Sequence, residues 1–283
     1  MVQYIRMTGD GMDIVERIHE KQQADEKLAL DAAALAGHIL LESGAEIFRV
    51  EETIKRVANA YGMKGEGAFV LSSGIFLTEE SHKHGFYANV KHIPLSGVHL
   101  DKVAAVNQLS REIENGMHTP AEALEKLNEI KSMPEKPKLA QMLATGVGSG
   151  CFCYLFGGSV FDGMTSFLVG CILCMYLSVV GKRKKRTSKI VVNITSGMLV
   201  TALSILFYLC GIGESLNHIV IGSIIPLVPG VAFTNAIRDI ASEDYISGTV
   251  RIVDVVLVAF SIAMGVGLVY TIFSRMVGGI VLW

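Results

Sequence analysis

The sequence predicts a membrane protein: an N-terminal cytosolic α+β domain followed by an all-α transmembrane bundle of about five helices. Three observations predict it. Charge is segregated. Of 25 Lys+Arg and 27 Asp+Glu in 283 residues, residues 1–138 hold 16 and 21, and residues 139–283 hold only 9 and 6. The second half contains five apolar stretches of bilayer length, about 20 residues of helix each. The first half instead mixes helical and strand periodicities between turn residues. Two halves suited to two solvents set the domain limits: an N-terminal extension over 1–24, a cytosolic domain over 25–138 and a transmembrane domain over 139–283.

In the first half, Leu28, Ala32, Leu35, Ala36, Ile39 and Leu40 make a helical stripe that stops at Ser43-Gly44. Ile47, Val50, Ile54, Val57 and Tyr61 recur at three and four residues and stop at Gly62, a second helix. Ala68–Thr78 is rich in β-branched and aromatic residues and reads as a strand with a bulge at Ser72-Ser73-Gly74; Phe86–Ile93 reads as a second strand after a Lys83-His84-Gly85 turn. Val103, Val106, Leu109 and Ile113 make a third helix closed by Asn115-Gly116. Thr119-Pro120-Ala121-Glu122 is a capping box with proline at the first helical position, opening a helix to about Lys131. Met133-Pro134-Glu135-Lys136-Pro137-Lys138 reads as a short stiff linker.

In the second half, the expected spans are Leu139–Phe156, Phe161–Val180, Ile190–Cys210, about Ile219–Ile237 and about Val250–Phe273. The 181–189 loop carries six Lys/Arg, whereas the loops at 157–162 and 211–218 carry none. The positive-inside rule then places 181–189, the N-terminal domain, Arg238 and Arg251 on the cytoplasmic side and Trp283 outside. Met1–Met12 has no apolar core, so no cleaved signal peptide is expected. Gly146-x-x-x-Gly150 allows a close helix approach.

The fourth span is the most informative. Pro226, Pro229 and Gly230 fall within five residues, removing backbone donors and breaking the helix. Freed carbonyls at membrane depth find partners only against protein or a wet cavity, and discontinuous helices build many transporter sites. Asn235, Arg238 and Asp239 follow, then Arg251 and Asp254; charge at the bilayer centre costs about 2.5–3.5 kcal/mol. These residues, with Asp162 in an outer loop, are candidates for a substrate pathway. The plain alternative is a proline-kinked packing helix with interfacial charges and a solvated turn aspartate.

Other chemistry is poorly supported. The histidines at 82, 84, 92 and 99, with Ser72, Ser73 and Asp101, follow no nucleophile elbow, P-loop or zinc-protease pattern. Cys171-x-x-Cys174 stands mid-span without a second pair and reads as packing. No catalytic residue, metal site, disulfide framework or cofactor is expected. With no ATP-binding motif, transport would run on an ion gradient or the substrate's own gradient.

Two stretches carry a resemblance. Leu41-Glu42-Ser43-Gly44-Ala45-Glu46-Ile47-Phe48-Arg49-Val50-Glu51 with Tyr61-Gly62, and Leu227-Val228-Pro229-Gly230-Val231-Ala232-Phe233-Thr234-Asn235-Ala236-Ile237-Arg238-Asp239 with Ser247-Gly248-x-x-Arg251, resemble the threonine/serine exporter family, ThrE. The region from Cys151-Phe152-Cys153 to Phe161-Asp162-Gly163 looks like the large, YjjP-like subunit of its two-component branch. The resemblance implies export of threonine- and serine-like amino acids or small dicarboxylates. It also implies a small partner subunit of about five spans, since an N-in, C-out half would pair with an inverted one. Ser43, Gly44, Glu46, Arg49 and Glu51 match the family's N-terminal motif; exposed helical ion pairs and a glycine helix stop would account for them equally.

The expectation is therefore a multi-pass exporter subunit in the plasma or inner membrane, in contact with lipid, a small-molecule substrate and its partner subunit. No nucleic-acid partner is expected, and homo-oligomerisation is left open. A membrane-anchored hydrolase and a sensor built on the cytosolic domain are the alternatives.

Overall fold

A computed structural model of the chain describes residues 24–63, 67–81, 85–93, 98–134, 136–182 and 188–276. Residues 1–23 of the N-terminal extension, the basic run after Lys182, His82, His84 and Trp283 lie outside these residues. The described chain falls into two compact units. One comprises the residues up to Pro134 together with Thr234–Arg251, the other the residues from 136 to Phe233 and from Ile252 onward.

The first unit opens with helix α1, described over residues 24–42. It buries Ala29, Ala32, Ala33, Ala36 and Leu40 along one face. Its end is a Schellman motif: Ala45 N–H reaches Leu40 O at 3.0 Å and Gly44 N–H reaches Leu41 O at 3.1 Å, with Gly44 at φ 79°, a conformation glycine adopts without steric cost. Helix α2 (Ile47–Ala60) buries Ile47, Val50, Ile54 and Val57. Strands β1 (Gly67–Leu71), β2 (Gly74–Ser81) and β3 (Gly85–His92) form an antiparallel sheet in that order. Helices α3 (Leu100–Glu114) and α4 (Pro120–Lys131) complete the core with Val106, Leu109, Ile113, Leu127 and Ile130. The Thr119–Glu122 capping box is present on α4, with both reciprocal bonds made.

The run expected to be one bulged strand is a hairpin instead. Leu71 pairs with Gly74 across a two-residue connection, and Ser73 O accepts Ile93 N–H at 2.8 Å. The sequence holds the reason: Val70 is buried, and so are Ile75 and Leu77. Inward positions thus change from even to odd, which a continuous strand of period two cannot do. The hairpin satisfies both, setting Val70 opposite Ile75 and the exposed Phe69 opposite the exposed Phe76.

The second unit contains α5 (Lys138–Leu155), α6 (Val160–Lys182), α7 (Lys189–Leu209), α8 (Leu216–Ile224) and a 3-10 turn (Ile225–Leu227). Helix α9 (Gly230–Ala241) and helix α10 (Tyr245–Met276) each contribute residues to both units. Three helices, α6, α7 and α10, are long and apolar enough to cross a membrane, and the bent pair α8–α9 makes up to four if counted as one span. The expected first span, α5, is not among them; it carries Lys138 and Gln141 near its start and Gly146, Gly148 and Gly150 along it. The glycines serve packing. A Cβ on Gly150 would stand 2.8 Å from Gly163 O, and one on Gly146 2.9 Å from Phe167 O, so α5 and α6 touch backbone to backbone. Leu168, Met175, Val179, Phe260, Met264 and Leu268 are exposed, an outward surface suited to lipid rather than water.

Candidate functional site

The helix break falls where the prolines stand. Helix α8 passes into the 3-10 turn over Ile225–Leu227, Val228 is extended, and α9 begins at Gly230. The two helical pieces meet at 60°. Pro229 cannot donate, but its carbonyl accepts Phe233 N–H at 2.9 Å and starts the new helix. Pro226 and Gly230 are exposed and Pro229 is half-buried.

Within the first unit, α9 and the start of α10 meet the segment between α1 and α2. Asn235 Nδ2 donates to Gly44 O at 2.9 Å. Arg238 pairs with Glu46 through Nη1 and Oε1. Arg251 Nη2 donates to Ala45 O at 3.1 Å, and its Nη1 lies 3.0 Å from Asp239 Oδ2. Asp239 Oδ1 accepts Ile47 N–H at 3.4 Å. Two motifs separated by about 190 residues of sequence therefore form one cluster.

The geometry follows from local structure. Asn235, Arg238 and Asp239 lie at i, i+3 and i+4 of α9 and share a face. Glu46 is the N-cap of α2 but makes no side-chain cap bond; Asp239 answers the first amide of that helix from a distant part of the chain. A carboxylate is favoured there because the helix N-terminus carries partial positive charge. The schellman turn at Gly44 aims the carbonyls of Gly44 and Ala45 at Asn235 and Arg251.

The two ion pairs differ in depth. Arg251 and Asp239 have side chains 6% and 1% exposed. Arg238 is 51% exposed, and its partner Glu46 11%. Glu46 is shared, since Arg49 Nε also approaches its Oε2 at 3.2 Å. The inner pair is close but poorly aligned: Asp239 Oδ2 has no partner that meets hydrogen-bond geometry. The contact is thus chiefly coulombic. The Ser247 hydroxyl, on the first turn of α10, is buried and likewise lacks a hydrogen-bond partner.

The remaining candidates have other surroundings. Ser43 is buried, and its carbonyl accepts His99 N–H at 3.1 Å. Glu51 Oε1 accepts Val70 N–H at 3.2 Å, fastening α2 to the edge strand β1. Asp254 pairs with Lys189 at 2.7 Å on an exposed surface, rather than with Arg251 on its own helix. Asp162 is buried in the first turn of α6, not in a solvated loop. Its carboxylate accepts Ser159 N–H at 3.0 Å, Glu214 N–H at 2.7 Å and Ser215 N–H at 3.0 Å. It ties the turn before α8 to the start of α6. Among the described residues, no group of three or more His, Cys, Asp and Glu is placed to hold a metal ion. Sequence reasoning missed the roles of Ala45 and Ile47 in the cluster. Both act through backbone groups, which no residue type announces.

The family described as "Putative threonine/serine exporter" matches residues 31–273. The chain belongs to that family. It is a component of a secondary exporter of small metabolites and not an enzyme, so neither the hydrolase nor the sensor alternative is favoured. A Klebsiella aerogenes protein named "Probable succinate transporter subunit YjjP" is 23% identical over 254 residues, covering 90% of this chain and 96% of that protein. The Escherichia coli protein of the same name is 23% identical over 255 residues, covering 90% and 97%. A Corynebacterium glutamicum protein named "Threonine/serine exporter" is 24% identical over 247 residues, covering 84% of this chain and 50% of that protein. No solved structure matches the chain. The exporter-family member described here is a multi-pass membrane protein by its helices and its family.

Proposed function

We propose that this chain is the larger subunit of a two-component exporter of threonine- and serine-like amino acids or small dicarboxylates across the plasma or inner membrane. In this reading its N-terminal α+β domain is cytosolic, its C-terminus lies outside, and α5 adds a fifth span to α6, α7, the bent α8–α9 pair and α10. A second membrane subunit of about five spans completes the transporter. The single observation that carries the reading is the bent pair α8–α9, broken at Pro226–Gly230 and followed on α9 by Asn235, Arg238 and Asp239. A helix that ends and restarts at membrane depth exposes fixed partial charges to a solute.

Three further observations support it. The word "subunit" in the names of two relatives fits a two-component assembly. The Corynebacterium relative, of which the matched part is 50%, fits a single-chain version of the same pair. The Glu46, Arg238, Asp239 and Arg251 cluster fits a charged gate between the motif segment and α9. The test is efflux of radiolabelled threonine, serine and succinate from cells expressing this chain with and without the small membrane subunit proposed to complete it. Export of at least one of them that requires both proteins is expected; no difference from empty cells for any of the three overturns the reading.

A further inference from the structure

We propose that Arg238 is a carboxylate-exchange site: Glu46 occupies it in this structure, and the carboxylate of the transported metabolite takes Glu46's place, removing one attachment of the turn before α2. The proposal rests on the exporter reading and specifies what that reading leaves open: which group of the solute is recognised, and which group of the chain it displaces.

The arginines of the cluster lie at different depths. Three guanidinium–carboxylate contacts stand in one cluster, and the two that share Glu46, from Arg238 and Arg49, are the exposed ones. Arg251 is sealed with Asp239, whereas half of the Arg238 side chain is in contact with solvent. Glu46 engages Arg238 through Nη1 alone, so the other edge of the planar fork is open to a second planar anion. A guanidinium fork matches a carboxylate with two parallel hydrogen bonds, a geometry that a single-nitrogen contact does not use.

Displacement of Glu46 also costs little of the surrounding structure. Its second oxygen is already held by Arg49 at 3.2 Å, so the freed carboxylate keeps a cation beside it. Its side chain caps nothing, and the first amide of α2 is answered by Asp239. Helix α2 thus keeps its first amide satisfied through the exchange. What loosens is the turn before it, left with Asn235 on Gly44 O and Arg251 on Ala45 O. The solute class follows from chemistry: an α-amino acid and a dicarboxylate share one charged group, the carboxylate. A site that reads only that group accepts both classes.

The experiment uses the full chain in lipid nanodiscs, with succinate and threonine as probes and their methyl esters as uncharged controls. Both acids should bind and the esters should not. Arg238→Gln should weaken acid binding about tenfold or more, the scale of one lost charge-assisted pair. Glu46→Gln, which removes the internal competitor, should tighten acid binding by about tenfold. If Glu46→Gln fails to fold, Glu46→Asp, which withdraws the carboxylate by one methylene, should tighten binding in the same direction. In the wild type, succinate should speed amide hydrogen exchange over residues 44–47. Unchanged or weaker acid binding in both Glu46 variants overturns the proposal, as does ester binding equal to acid binding. If binding fails these tests while two-subunit efflux persists, the exchange site is wrong and the exporter reading stands. If binding passes and efflux is absent, the site stands and the exporter reading falls.

Discussion

Asp239 and Arg251 face each other at 3.0 Å with side chains 1% and 6% exposed, and Asp239 reaches past its partner to receive the first amide of α2 from Ile47. A buried charge is tolerated only while its partner remains. Arg251→Met should leave Asp239 uncompensated and cost about 3–5 kcal/mol, seen as a large drop in Tm of the solubilised protein. Adding Asp239→Asn to that variant should recover much of the loss. Losses that simply add would show that the two side chains are uncoupled.

Asp162 satisfies three backbone amides at once. Asp162→Ala should strand them, costing about 1–3 kcal/mol for each amide that water does not reach. Asp162→Asn, which keeps one acceptor oxygen, should fall between. Thermal unfolding of the three proteins side by side checks the order; equal Tm values would mean that water replaces the carboxylate.

Helix α9 ends in a Schellman-type turn in which Asp244 N–H reaches Asp239 O and Glu243 N–H reaches Ile240 O, both at 3.0 Å. The left-handed position is held by Glu243, at φ 68°, where glycine is ordinarily found. Glu243→Gly should relieve about 1 kcal/mol of backbone strain and raise Tm. Glu243→Ala, which keeps the Cβ, should not.

The Gly150 contact sets the distance between α5 and α6. Gly150→Leu should drive the helices apart and lower Tm, because the Cβ alone would meet Gly163 O at 2.8 Å. Overpacking of this kind costs about 1–3 kcal/mol. Gly148→Leu, where a Cβ meets nothing within 4 Å, is the control and should leave Tm near the wild type.

Bonds from the Thr119 amide and then its hydroxyl hold the Glu122 carboxyl below the usual carboxylate range. A carboxyl depressed in the folded state stabilises fully above its unfolded value, about 4.3, and that contribution disappears as pH falls through the folded value. Unfolding followed between pH 6 and pH 3 should show Glu122→Gln less acid-sensitive than wild type. Thr119→Ala should cost about 1 kcal/mol near neutral pH.

Much of this architecture was legible in residue order because it rests on periodicity and on residues with restricted backbones. The stripes of α1, α2 and α3, the capping box at Thr119 and the break at Pro226–Gly230 all belong to that class. The hairpin was misread because Ser72-Ser73-Gly74 suits a bulge as well as a turn, and the shift in alternation between Val70 and Ile75 that separates the two is a single residue. The cluster was half legible: Asn235, Arg238, Asp239 and Arg251 are conspicuous polar residues beside apolar stretches, and Ser43–Glu51 is a recognisable motif. Their pairing across about 190 residues was not, since Asp239 and Arg251 act on the amide of Ile47 and the carbonyl of Ala45. Asp254 shows the converse. Its residue type and place beside the fifth span made it a pathway candidate with Arg251, yet a lysine on another helix takes it.

The unequal depth of the two arginines makes their pairs respond differently to dissolved electrolyte. Counter-ions gather around charges that water wets, with a screening length of about 8 Å at physiological strength and about 3 Å at 1 M. The Arg238–Glu46 contact lies within their reach, while Asp239–Arg251 is shielded by the protein around it. Concentrated salt should thus slacken one attachment of the motif segment and spare the other, so the ionic milieu bathing this face becomes a variable that sets how firmly residues 44–47 are held.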